Sequence, residues 1–181
     1  MTENRKLVFY GAISVDGYLA KEDDALDWLY ETEGGDETGY ADFYATVDTI
    51  LMGRRTYEQI VSVLSPEHFP YAGKECYVFS RTLEGDNQFV KFVGHDRDIV
   101  QFTKSLKTQP GQHIWMVGGG DVLRPLIDAQ MVDEFIIQIA PSILGRGLPL
   151  FLPSHADLRL KLLAVRQFQQ FAELHYEQRR F

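Results

Sequence analysis

The chain has 181 residues, a hydrophobic content of 45% and a formal net charge of −8. That length fits one domain, residues 1–181, with a sizeable core, and the acidic balance argues against nucleic acid as the main partner, since phosphate contacts need a basic surface. The single cysteine, Cys76, excludes an internal disulfide. No run approaches a membrane span and the opening MTENRKLVF lacks the apolar core of a secretion signal, so the expected setting is the reducing cytoplasm.

In chain order, Leu7 to Ser14 (LVFYGAIS) reads as a first strand. A polar, acidic stretch from Asp16 to Thr38 reads as a long loop. Tyr40, Phe43, Tyr44 and Val47 recur at helical spacing and predict a helix. Thr49 to Met52 is a short apolar strand, Gly53 a turn, and Arg54 to Val63 a helix. Strands follow at Glu75 to Ser80 and Phe89 to Val93, then a helix at Ile99 to Leu106. Ile114 to Val117 reads as a buried strand, and Val122, Leu123, Leu126 and Ile127 carry helical spacing after it. Val132 to Ala140 is a long β run. Leu158 to Gln167 and Phe171 to Arg179 predict a closing antiparallel hairpin. Strands alternate with helices early and dominate late, so the expected class is α/β with a mixed sheet.

Two strand-to-helix turns are rich in glycine or cations. In WMVGGGDVLRPLI three glycines stand between strand and helix, where a helix N-terminus and open backbone N–H groups suit phosphate. In TILMGRRTYEQI, Arg54, Arg55 and Thr56 occupy the first helical turn. Cations there oppose the helix dipole; an anion held between them and the helix end would account for them, and a solvated surface pair is the simpler account. A third strand ends in Ser80-Arg81. Three such ends suggest one dinucleotide along the carboxyl edge of a sheet. A G-x-G-x-x-G fingerprint is excluded, because Leu123 occupies the last glycine position and the glycines come late.

These segments resemble the dihydrofolate reductase fold, a three-layer α/β/α architecture with a central mixed sheet and a C-terminal antiparallel hairpin. Within it the chain is most similar to the C-terminal reductase domain of the bifunctional riboflavin-biosynthesis deaminase/reductase. The resemblance is carried by AISVDGYLA, ILMGRRTYE, YVFSR, WMVGGG and VDEFIIQIAPSILGRGLPLF, and covers nearly the whole chain. It implies NADPH as cofactor. It places the backbone of Ala12 at the nicotinamide carboxamide and Leu19, in the loop from Asp16, as a packing contact. Arg54, Ser80 and Arg81 fall on the 2′-phosphate, and Gly53, Arg55 and Thr56 on the pyrophosphate turn. Gly118, Gly119 and Gly120 fall against the pyrophosphate and nicotinamide side, with Asp121 opening the next helix. It also implies a cis peptide between Gly118 and Gly119, and a homodimer, for which the apolar segment Phe135 to Phe151 is the expected edge.

The implied activity is hydride transfer to a small heterocyclic or ribosylaminopyrimidine-like substrate, as in 5-amino-6-(5-phosphoribosylamino)uracil reduction. Alternatives are dihydrofolate reduction and a non-catalytic NADPH-binding protein. Folate reductases carry a carboxylate early in the helix before the MGR strand; here that region offers Glu37 and Asp42, neither fixed in a pocket by its spacing. Gln138, the one polar residue within Phe135 to Ala140, is the other candidate, either facing the pocket or bonded within the sheet. Trp28 reads as a pocket wall or as core. The five histidines show no metal-ligand spacing, and no metal is expected.

Overall fold

The first strand sets up two cores by alternation. In β1 (Leu7–Ser14) the side chains of Leu7 and Phe9 join one apolar cluster and those of Val8 and Tyr10 another, and all four are buried. A strand covered on both faces reads as a continuous apolar run for this reason. The computed structural model describes residues 5–35, 38–63, 68–94 and 97–180, with Val63 in its backbone only.

The main sheet contains β1, β3 (Val47–Gly53), β4 (Glu75–Phe79), β5 (Lys91–Val93), β6 (His113–Gly118), β7 (Glu134–Ala140), β9 (Leu160–Phe168) and β10 (Phe171–Gln178). Its order is β5-β4-β3-β6-β1-β7-β10-β9. Pairing is parallel as far as β7 and antiparallel from β7 through β10 to β9. Helices α4 (Ile99–Lys107) and α5 (Gly120–Asp128) bury Leu106, Leu123 and Leu126 against one face. Helices α2 (Tyr40–Ala45) and α3 (Arg54–Val63) place Phe43 and Ile60 against the other. The result is the expected three-layer α/β arrangement with an antiparallel C-terminal hairpin.

Several boundaries differ from the sequence reading. Val47 opens β3 and is not part of the helical stripe; the chain extends as soon as it enters the sheet, where Val47 pairs with His113. The expected long loop holds β2 (Tyr18–Ala20) and a short α1 (Asp27–Tyr30). β2 pairs with β8 (Leu148–Pro149), and that close approach needs glycine, since a Cβ on Gly147 would collide with the Ala20 carbonyl. The apolar run of β7 lies inside the sheet between β1 and β10, so core packing explains it. The edge on that side of the sheet is β9, whose Leu162, Leu163 and Val165 are exposed. Among the described residues no helix is long and apolar enough to cross a membrane.

Candidate functional site

The C-terminal ends of three neighbouring parallel strands line up. Gly53 at the end of β3 is in register with Phe79 of β4, and Met52 with Gly118 of β6. Arg54 and Ser80 therefore begin the segments that leave adjacent strand ends. Local sequence makes the turns sharp. Gly118 sits at φ +151, a conformation L side chains rarely adopt, and the Gly118–Gly119 peptide is cis, as the resemblance implied. α5 starts at an extended Gly119 with no side-chain cap, which leaves its first N–H groups without an intrahelical partner.

The two strand-to-helix turns touch. A Cβ on Gly53 would lie 3.1 Å from Val122 Cγ2 and 3.8 Å from Gly119 N. Cβ atoms on Gly118 and Gly119 would find nothing within 4 Å but the Thr56 hydroxyl, at 3.7 and 3.8 Å. A hydroxyl, open backbone and two helix N-termini thus border one space. This donor set suits a phosphorylated ligand, so the residues fit the dinucleotide that the resemblance implies. Gly120 differs. A Cβ there would meet Leu152 at 3.0 Å and the Pro149 carbonyl at 3.2 Å, so this glycine serves the packing of α5 on the segment after β8.

The cations of α3 have partners within the chain. Arg54 Nη1 donates to Glu58 Oε1 at 3.0 Å, one helical turn on. Arg55 Nη2 lies 2.9 and 2.8 Å from the two Asp24 carboxylate oxygens, and Gln59 Nε2 donates to the Asp24 carbonyl at 2.6 Å. Asp24 itself holds φ +65. These contacts span an open cleft of about 720 Å³ between α3 and the β2–α1 connection, bordered by Asp24, Leu26, Tyr30, Arg55 and Gln59. At the β4 end, the Ser80 hydroxyl is buried and accepts from Thr82 N at 3.1 Å and Leu83 N at 2.7 Å, shaping the turn that exposes Arg81. Arg81 makes no ion pair among the described residues. Asp121 is exposed in the first turn of α5.

Ala12, which the resemblance assigns to the nicotinamide end, lies on β1 in register with Gln138, and Leu19 lies on β2. Leu19 packs against the first core cluster. The β1–β2 turn between them is tied down by Asp16, which accepts from Ser14 Oγ at 2.6 Å, Leu144 N at 3.1 Å and Gly145 N at 2.7 Å. The hydrogen bond from Ser14, then those from the backbone, hold the Asp16 carboxyl below its ordinary range.

Of the acid candidates, Asp42 is exposed on α2 and Glu37 lies outside the described residues. Gln138 is buried and donates to Tyr10 Oη at 2.8 Å and to Glu173 Oε2 at 2.9 Å. Tyr10 stacks on Phe43 at a centroid distance of 4.4 Å, and burial pushes its phenol up to about 12. Trp28 is buried beside Ala140 and Phe171, with no partner for Nε1 among the described residues. Sequence reading missed Glu173 and Asp24. Alternation in FAELHYEQ puts Glu173 on the same face as buried Phe171, which was the available signal; Asp24 had none, because its partner is remote in sequence.

The model of the RibD C-terminal domain matches residues 5–172. The uncharacterized protein YwjB of Bacillus subtilis is 43% identical over 173 residues, covering 95% of this chain and 97% of that protein. A candidate riboflavin biosynthesis protein of Shewanella sp. PV-4 superposes with a TM-score of 0.83 at 26% identity, over 97% of this chain and 99% of that one. Dihydrofolate reductase of Enterococcus faecalis, solved with NADP(H), superposes at 0.69 with 15% identity over 96% of each chain, a likeness of fold alone.

Proposed function

The chain belongs to the RibD C-terminal domain family, and on that premise we propose that it is an NADPH-dependent reductase of a small heterocyclic, ribosylaminopyrimidine-like substrate, working in the cytoplasm. The observation that carries this reading is the alignment of Phe79, Gly53 and Gly118 along one sheet edge, with Thr56 and the α5 N-terminus facing the open glycine backbone.

NADPH bound there supplies hydride from nicotinamide C4 to a C=N or C=O bond. The chain's own part is binding and orientation. Thr56 and the N–H groups of α5 hold the diphosphate, Arg55 adds charge once it leaves Asp24, and Arg54 and Arg81 flank the 2′-phosphate. Ala12 positions the carboxamide through its backbone. The turn at Asp16, held by Gly145 N, and the β2–β8 pair are the segments that would cover the reacting face and exclude water. The substrate lies on the α2–α3 side of the sheet, beside Ala12 and Gln138. The test is a titration of the purified protein with NADPH, followed by a search for NADPH oxidation with aminopyrimidine, pterin and related heterocycles. No binding of NADPH at micromolar concentration would end this reading.

A further inference from the structure

A row of register partners runs across the sheet from an exposed arginine through two buried polar side chains to the proposed substrate site. Ala12, Gln138, Glu173 and Arg166 are successive register partners on β1, β7, β10 and β9. The Glu173 side chain is fully buried, and Gln138 is 5% exposed. A buried carboxylate needs both a counter-charge and donors. Arg166 donates to Glu173 Oε1 through Nε at 2.8 Å and also through Nη2. Gln138 Nε2 donates to the other oxygen and gives its second hydrogen to Tyr10 Oη.

This arrangement dictates which way the Gln138 amide faces. An ionised carboxylate only accepts, so the amide nitrogen must point at Glu173. The carbonyl oxygen Oε1 is left over. No donor among the described residues reaches it. Among the described residues the fully enclosed side-chain polar atoms without partners are Trp28 Nε1 and Thr103 Oγ1, so Oε1 keeps an opening. Both Glu173 oxygens and both Gln138 amide hydrogens are thus engaged, and the row ends at Ala12.

We infer that Glu173 is a positioning residue: it locks Gln138 as a hydrogen-bond acceptor toward the substrate, so the site selects a ring with an N–H donor, such as the imide edge of an oxopyrimidine. The inference rests on the reductase reading, which puts the substrate beside Ala12. A site built around one acceptor discriminates strongly against a ligand lacking the matching hydrogen.

The chemistry makes a sharp expectation for Glu173→Gln. Arg166 can only donate, so the new amide keeps its oxygen on Arg166 and turns its nitrogen to Gln138. Gln138 must then flip, accepting from residue 173 and from the Tyr10 hydroxyl, and it presents Nε2 outward. An acceptor becomes a donor with no change in shape.

The experiment uses the full chain saturated with NADP⁺ and two probes, 5,6-diaminouracil and its 1,3-dimethyl derivative, measured by calorimetry. The wild type should bind the N–H form at least about tenfold more tightly. Glu173→Gln should lose or reverse that preference while its affinity for NADP⁺ is unchanged. Gln138→Leu, an independent variant should Glu173→Gln not fold, should bring the ratio to about one. Retention of the wild-type preference in a folded variant that binds NADP⁺ would overturn the inference. So would a wild type that binds NADP⁺ but does not distinguish the probes, and that result would leave the reductase reading standing. Failure to bind NADP⁺ at all would sink both.

Discussion

Arg55 and Asp24 face each other across the cleft, and one guanidinium nitrogen lies 2.9 and 2.8 Å from the two oxygens of the carboxylate. The cation proposed for the diphosphate is thus already engaged by the loop in front of α1. Both side chains are about half exposed, and a pair of this kind contributes at most about 1 kcal/mol. A phosphate at the helix end can displace it.

The first prediction follows from that competition. Asp24→Asn should tighten NADPH binding, by up to about fivefold at low salt. Calorimetric titration at two ionic strengths checks it. Weaker binding would mean that Asp24 organises Arg55 for the ligand and does not compete with it.

Cofactor choice is the second. Arg54 and Arg81 leave neighbouring strand ends beside Ser80, and charge-assisted contacts to phosphate contribute about 1.5–3 kcal/mol each. The double substitution Arg54→Ala, Arg81→Ala should weaken NADPH at least tenfold and leave NADH nearly unchanged. Equal losses for both cofactors would refute the placement.

The third concerns dihydrofolate, which should be reduced poorly or not at all. A pterin needs a fixed carboxylate to hold its amidine edge, and Asp42 points to solvent from α2. NADPH oxidation with dihydrofolate should fall far below the typical enzyme rate of about 10 per second. A rate near that value, abolished by Glu37→Gln or Asp42→Asn, would identify the missing acid and favour the folate reductase alternative.

Acid stability is the fourth. Burial alone would raise the Glu134 carboxyl, but hydrogen bonds from Lys6 at 2.8 Å and His175 at 2.9 Å outweigh it, and the net shift is downward. A carboxyl held lower in the folded chain contributes stability above its unfolded pKa of about 4.3, and that contribution is lost as pH falls through the folded value. The melting temperature of the wild type should drop below about pH 4.5, and Glu134→Gln should be less stable at neutral pH with a shallower acid limb. Parallel acid limbs for the two proteins would contradict the assignment.

The fifth is assembly. β9 is a sheet edge with Leu162, Leu163 and Val165 exposed, and such edges are commonly covered. We propose a second copy of the chain as the cover. Light scattering at micromolar concentration should give a dimer mass, and Leu163→Lys with Val165→Lys should give a monomer. A monomeric wild type would count against it.

The sequence by itself determined the class of each major element and the two glycine turns. Those depend on local quantities: period-two or helical recurrence of apolar residues, the positive φ that Gly118 adopts, and the close approach that Gly53 permits where a strand turns into a helix. It also carried the family resemblance, because that lies in contiguous segments such as ILMGRRTYE and WMVGGG. Gln138 stood out as one polar residue in an apolar strand, but whether it faced a pocket or the sheet stayed open. Only the tertiary structure decided that. Glu173 meets Gln138, and Asp24 meets Arg55, through strand register and loop path over separations of 35 and 31 residues. Nothing in local propensity encodes such pairings, since a slip of one residue in register would turn Glu173 to the opposite face. The direction of the Gln138 amide is set one step further away again, by the arginine on the next strand.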